Sequence, residues 1–349
     1  MVKSILFIPT GDKDHQSTMH RCYLHAEEFG ENKILSKVIP IKRGKSNNSF
    51  YILFRYIQNL FTSVIHIPFY KVIIFHRRKD PFSLFLLFYS KIFRKKILYD
   101  FDDAIYMNQY FRMFDLMVKY SDSIICSNPY LASQVMHLNQ NIEIISSPVD
   151  TENFFKRKVK NNNKFVIGWL GPGEDHYVYL KNLFDLLKIN PNLKKYKLKL
   201  VSSLGSKKIF DLFSKLDDLE VDYGKKYWIN FLEIPNEIKD FDVSVMPLIS
   251  DKWSNGKQSM KLLESMAMEI PVIGSNIGYN KLIISNGWNG FLFDNQKQFN
   301  EKLEILYHNK KKRIAMGKNG RIFIHKNYSL KEINNKLSIF IDDILLNEK

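Results

Sequence analysis

Between Gly256 and Gly290 the chain carries two lysines and a carboxylate, Lys257, Lys261 and Glu264, ahead of a Pro-led apolar run, PVIGS, and a glycine turn. Ammonium groups near the start of a helix add to its unpaired N–H groups and positive dipole end, and together these attract phosphate. Lys261 and Glu264 stand three residues apart, so they share one helix face. The bland alternative is a surface ion pair. A second glycine turn, Gly171-Pro172-Gly173, follows the apolar run FVIGWL. Glycine there lets backbone N–H groups approach an anion closely, although such a turn also serves simply as a tight bend. His176 and Lys181 lie just beyond it as further candidates.

A third constellation is Tyr99-Asp100-Phe101-Asp102-Asp103, at the end of an apolar run. In an α/β sheet, ligands bind outside the carboxyl ends of the strands, which places Asp102 and Asp103 at a binding rim. An Asp-x-Asp cluster suits Mg²⁺ or Mn²⁺, hydroxyl recognition suits it equally, and capping of the next helix by one aspartate is the structural alternative. His20 and Arg21 follow the first apolar run, and His76 ends KVIIFH. Each is a candidate for acceptor contact, against the ordinary role of a packed or solvent-facing side chain.

The elements that must position these groups alternate strictly. SILFIPT, YKVIIFHR, KKILYDFD, DSIICS and IEIISSPVD read as strands, separated by helices predicted over His20–Phe29, Ser83–Phe93, Tyr110–Tyr120 and Tyr130–Leu138. Continuous apolar strands between helices predict a parallel sheet covered on both faces. Periodicity fades over 151–163, TENFFKRKVKNNN, which is expected to be a linker. The alternation then restarts with KFVIGWLG, YKLKLVSS, EVDYG, FDVSVMP, IPVIGS and GFLFD, with helices expected over Tyr179–Leu187, Lys207–Leu216 and Asn236–Lys239 and another beginning after Asn255. The expected organisation is a Rossmann-like domain over 1–150, a second over 164–329, and a helix over Leu330–Leu346 returning towards the first.

With 349 residues, 45% of them hydrophobic, two domains are expected. Cys22 and Cys126 belong to no CxxC or Cys/His cluster, which argues for a reducing cytosol and against structural zinc. No apolar run reaches the roughly 20 residues of a spanning helix. The net charge is +16, and the basic runs KVIPIKRGK, HRRK, KIFRKK and KNNNK lie in the first half, interleaved with Phe and Tyr. Such a surface suits nucleic acid or an anionic membrane, or is a solvated face. No helix-turn-helix, RNP-like or Cys/His motif is present, so nucleic acid is not expected as a partner.

The block PLISDKWSNGKQSMKLLESMAMEIPVIGSNIGYNKLIISNGWNGFLF resembles the donor-binding region of family-four retaining glycosyltransferases of the bacterial surface-polysaccharide type. FVIGWLGPGEDHYVYLKNL is similar to that family's first C-domain strand, glycine loop and helix, and IICSNPYLASQV with IISSPVD resembles the end of its N-domain. The resemblance implies the GT-B fold, two Rossmann-like domains facing each other across a cleft. It also implies a nucleotide-sugar donor, a glycan or polyprenyl-diphosphate-linked acceptor, no cofactor and no metal. Glu264 takes the place of the glutamate that binds the ribose hydroxyls. Lys257 and Lys261 are then the catalytic cations on the leaving diphosphate, with Asp102 the catalytic carboxylate of the N-domain. Gly171, Gly173, His176 and Lys181 fall to the donor, with Leu232 or Trp228 at the base. His20, Arg21, His76 and Asp103 fall to the acceptor, and Ser127, Asn128 and Tyr130 form a supporting turn.

Two departures stand out. The first glutamate of the family's Glu-x7-Glu motif is replaced by Gly256, and the arginine of its Gly-Arg loop by Pro172. Lys257 is expected to take over part of that arginine's role. A nucleotide-sugar epimerase of the same fold and a non-catalytic partner of another transferase are the alternatives, the latter favoured by the missing Glu and Arg.

Overall fold

The computed structural model describes residues 3–41, 49–108, 112–159, 163–202, 205–224 and 230–346. The chain forms two compact units, Met1–Pro148 with Leu330–Lys349, and Val149–Ser329. In the first, β1 (Ser4–Pro9), β2 (Leu35–Val38), β3 (Val72–His76), β4 (Lys96–Phe101), β5 (Ser123–Cys126) and β6 (Ile142–Ile144) lie in the order β2-β1-β3-β4-β5-β6. All pairs are parallel. In the second, β7 (Phe165–Leu170), β8 (Tyr196–Val201), β9 (Glu220–Asp222), β10 (Val243–Met246), β11 (Val272–Ser275) and β12 (Gly290–Phe293) lie in the order β12-β11-β10-β7-β8-β9, again parallel. Every residue of β1, β3 and β7 is buried, as continuous apolar runs covered on both faces require. Each strand order reverses beside the first strand of its unit, between β1 and β3 and between β7 and β10, and such switch points open crevices for ligands.

The helix Leu330–Leu346 belongs to the first unit. Ile333, Leu337, Ile341 and Leu345, four residues apart, bury against Ile5, Phe7 and Ile74 of β1 and β3. His25 Nδ1 lies 2.8 Å from Asn334 Oδ1, and Lys3 Nζ donates to Ser338 O at 3.1 Å.

Several boundaries differ from the expectations. The first helix begins earlier, with an α-turn Gln16–Thr18 and a π-turn Met19–Tyr23 before Leu24–Glu31. β2 was not foreseen, because an edge strand with no buried residue leaves no apolar run to see. The segment 151–163 is not a bare linker, since Phe154 is fully buried in the second unit with its ring 5.4 Å from that of Phe231. The helices Gln296–His308 and Lys310–Asn327 were also unforeseen. The first has a narrow apolar stripe, Phe299, Leu303 and Leu306, and the second is strongly basic with Gly317 pressed against the Glu269 backbone. Among the described residues no helix is long and apolar enough to cross a membrane.

Candidate active site

In the second unit, β7 delivers Trp169 and Gly171 to the end of the sheet next to the switch point. Gly171 has φ +152°, and its N–H donates to Val201 O at 3.1 Å, while Gly173 N–H donates to Ser202 O at 3.3 Å. The loop is thus sewn to the end of β8. This corrects one expectation: the amides of Gly171 and Gly173 serve the protein's own carbonyls and are not aimed at an anion. Glycine is required at Gly171 by its φ of +152°, which L side chains rarely adopt, and by space, since a Cβ there would collide with Lys261 Nζ.

The expected helix after Asn255 is two helices. Asp251 caps Lys252–Gly256 by accepting from Ser254 N at 2.6 Å, and a second helix, Met260–Ala267, follows. Lys257 lies between them in extended conformation, φ −76° and ψ 126°. It therefore precedes the helix that carries Lys261. The two lysines nevertheless converge on one ring: Lys257 Nζ is 3.4 Å from His176 Nε2, and Lys261 Nζ is 3.3 Å from His176 Nδ1. Lys261 Nζ also lies 4.7 Å from the ring centroid of Trp169, which is buried and stands edge-on to His176. Burial first, then Lys261 and Lys257, push His176 far below the ordinary histidine range, so the ring is neutral. A neutral imidazole has one lone pair, and it brings no charge to offset two ammonium groups. Glu264, one turn beyond Lys261, is only 3% exposed.

Two donor candidates stand elsewhere. Lys181 is exposed on the helix Tyr177–Leu187, with no described contact to this cluster. Leu232 is 61% exposed in a short turn, Phe231–Glu233. Trp228 lies outside the described residues.

In the first unit, the ends of β1, β3 and β4 bring seven charged or polar groups into one network. The Arg21 guanidinium forks onto Asp100, with Nε to Oδ2 at 3.0 Å, and also donates to Ile145 O at 2.6 Å. Asp100 Oδ2 is 2.8 Å from His76 Nδ1, and His76 Nε2 is 2.9 Å from Ser17 Oγ. Ser17 in turn donates to Asp102 Oδ2 at 2.6 Å. Arg77 Nη1 bridges Asp102 and Asp103, 3.2 Å from each. For both Asp100 and Asp102, burial would raise the carboxyl pKa. The neighbouring groups outweigh it, Arg21 and the His76 hydrogen bond for Asp100 and Arg77 foremost for Asp102, so both are lowered. His20 is buried, with Nδ1 3.0 Å from Pro148 O. Ser127 Oγ donates to Asp102 O at 3.0 Å and Asn128 caps Pro129–Val135, while Tyr130 is half-buried.

Residues 150–323 match the family model for glycosyl transferases group 1. The chain carries a glycosyl transferases group 1 domain. Spore coat protein SA of Bacillus subtilis (strain 168) is 28% identical over 117 residues, 32% of this chain and 31% of that protein, so the chain spans about a third of the curated relative it matches. Sucrose-phosphate synthase from Thermosynechococcus elongatus superposes with TM-score 0.75 at 12% identity, covering 99% of this chain and 100% of that one. Anabaena HepE in complex with UDP-glucose superposes with TM-score 0.70 at 13% identity, covering 97% and 99%. The fold is therefore GT-B, with two Rossmann-like parallel sheets.

The group 1 domain contains every member of the lysine cluster. Three residues of these two clusters escaped the sequence. Trp169 is one of an unbroken buried run, with nothing to single it out. Ser17 carried no signal beyond its place three residues before His20. Arg77 was seen only as part of the basic run HRRK. It sits at φ 56°, a left-handed conformation uncommon outside glycine, which aims its side chain at both aspartates. Asp102 and Asp103 both face this guanidinium.

Proposed function

We propose that the protein transfers a sugar from a nucleotide-sugar donor to a glycan or polyprenyl-diphosphate-linked glycan, with retention of configuration, in surface-polysaccharide or lipopolysaccharide assembly at the cytoplasmic face of a membrane. The observation that carries the reading is the convergence of Lys257 and Lys261 on the neutral ring of His176. Two cations converging on a neutral ring, one of them over a buried tryptophan, make a site for a diphosphate. Glu264 offers two oxygens to the vicinal hydroxyls of a ribose. Anabaena HepE, of similar fold, is described in complex with UDP-glucose, and this supports a nucleotide-sugar donor here.

In this mechanism the departing phosphate oxygen accepts the proton of the attacking hydroxyl on the same face of the sugar. The protein's task is to stabilise the leaving diphosphate and the oxocarbenium-like sugar, which preorganised charges do well in a site shielded from water. Lys257 and Lys261 supply the positive charge without a metal. In the first unit, the row His76–Ser17–Asp102 presents an imidazole, a hydroxyl and a carboxylate in sequence, the groups that recognise sugar hydroxyls. His20 and Arg21 hold its backbone support.

The test is product analysis with UDP-, GDP-, dTDP- and CMP-linked sugars, with and without a lipid-linked acceptor. Transfer or donor hydrolysis with the anomeric configuration kept is expected. Conversion of the donor sugar without acceptor would replace this reading by an epimerase. Binding with neither hydrolysis nor transfer would replace it by a non-catalytic partner.

A further inference from the structure

The first unit turns two helices inside out. In Ser49–His66, the side chains Phe50, Phe54, Ile57, Phe61 and Ile65 are all exposed. Their spacing of four, three, four and four residues puts them on one helical face. Phe50 is 77% exposed and Phe61 66%. The opposite face buries Asn59 and Ser63. The neighbouring helix, Pro81–Ile92, repeats the inversion: Phe85, Phe88 and Ile92 are exposed, Ile92 by 77%, while Ser83 and Ser90 are buried beside Leu86 and Leu87. The two helices pack through Tyr56 and Phe82, with ring centroids 5.9 Å apart. Phe69 extends the surface at the end of the first helix.

Water-soluble proteins rarely leave so much contiguous apolar surface without a partner, and the charge nearby identifies one. From Asn32 to Tyr99 the only acidic residue is Asp80. Its carboxylate is engaged with Arg78 Nε at 2.7 Å and caps the second helix through Ser83 N at 3.0 Å. Lys91 and Arg94 are exposed beside Ile92 and Phe93 at the end of that helix, and Arg55 stacks on Tyr51 within the first. A second copy of this chain would bring cation against cation. An anionic bilayer offers hydrocarbon to the Phe and Ile side chains and headgroup charge to the Lys and Arg.

We infer that the outward faces of Ser49–His66 and Pro81–Ile92 form a docking surface for an anionic lipid bilayer. The inference rests on the preceding reading for the acceptor's lipid linkage, and on this surface alone for the contact. Its test is flotation of the full chain with phosphatidylcholine vesicles, with or without one-third phosphatidylglycerol. The wild type floats with the anionic vesicles, and phosphatidylcholine alone or high salt weakens the association. Phe54→Ser with Phe61→Ser and Ile92→Ser weakens it by about tenfold or more, since three inserted apolar side chains are lost. The charge variant Lys91→Glu with Arg94→Glu weakens it on anionic vesicles and leaves the apolar stripe intact. Wild type that stays at the bottom with anionic vesicles overturns the inference, as do variants that float like wild type. A dimer in sedimentation that the serine variant dissolves also overturns it, in favour of self-association. Nucleotide-sugar-dependent thermal shifts on the same samples separate the two proposals: loss of those shifts with flotation intact refutes the sugar-transfer reading and leaves the surface standing.

Discussion

At the residue scale, the decisive arrangement is one neutral ring between two ammonium groups. Lys261 is held by His176 and by the face of Trp169, so truncation removes charge without opening a core. Lys261→Ala is expected to reduce turnover by about a hundredfold, the usual effect of deleting one electrostatic donor from a shielded site, with the melting temperature unchanged. Steady-state kinetics at saturating donor checks it. Gly171→Ala tests the same site through the backbone: an alanine is strained at φ +152°, and its methyl meets Lys261 Nζ. Activity and stability should therefore both fall, which kinetics and thermal unfolding on one sample can follow. Ser17→Ala acts differently. It strips a shared hydroxyl from His76 and Asp102, two buried partners, and should cost about 1 to 3 kcal/mol of stability by denaturant titration, together with a raised KM for acceptor.

At the element scale, strands were legible and edges were not. Buried parallel strands such as VIIFH and FVIGWL announce themselves as unbroken apolar runs, whereas β2 has no buried residue and the basic helix Lys310–Asn327 hides its contacts in glycine and methionine. The break at Gly256–Ser259 was invisible for another reason. The cap from Asp251 starts a helix early, and the resulting loop, not helical periodicity, carries Lys257 to His176. Helix Leu330–Leu346 allows a direct measurement. Leu337→Ala should destabilise the first unit by about 2 to 5 kcal/mol, because Leu337 sits in the core with Ile5 and Phe7. Acid should loosen the same contact. Burial, opposed only partly by Asn334, lowers His25 from 6.5 to about 4. Between those values His25 is neutral in the fold and protonated in the unfolded chain, so its contribution is intact above pH 6.5 and is lost as pH falls towards 4. The difference is about 3 kcal/mol. Thermal melts from pH 7 to 4 should show this decline, and His25→Gln should flatten it.

At the scale of the whole molecule, the alternation of apolar runs and helices was enough to specify two doubly wound sheets. Composition placed basic runs among aromatic residues in the first half of the chain. What it withheld was which side of each helix faces outward. Phe and Ile at helical spacing normally mark a core, and only the structure shows that Asn59, Ser63, Ser83 and Ser90 occupy the inside instead. The site was legible in part for the same reason. Lys261 and Glu264 are fixed by one helix, but Lys257, His176, Trp169 and Gly171 meet only after β7 and the Lys252–Gly256 turn have folded. The central claim is that this cluster grips the diphosphate of an activated sugar. Thermal unfolding of wild type, Lys261→Ala and Glu264→Gln against UDP-, GDP- and dTDP-linked sugars tests it most directly, because a ligand that binds only the folded state raises the melting temperature. At least one of these donors should stabilise the wild type, and both substitutions should remove most of that shift. Contradiction would be a wild type that none of them stabilises, or a Lys261→Ala protein that keeps the full shift.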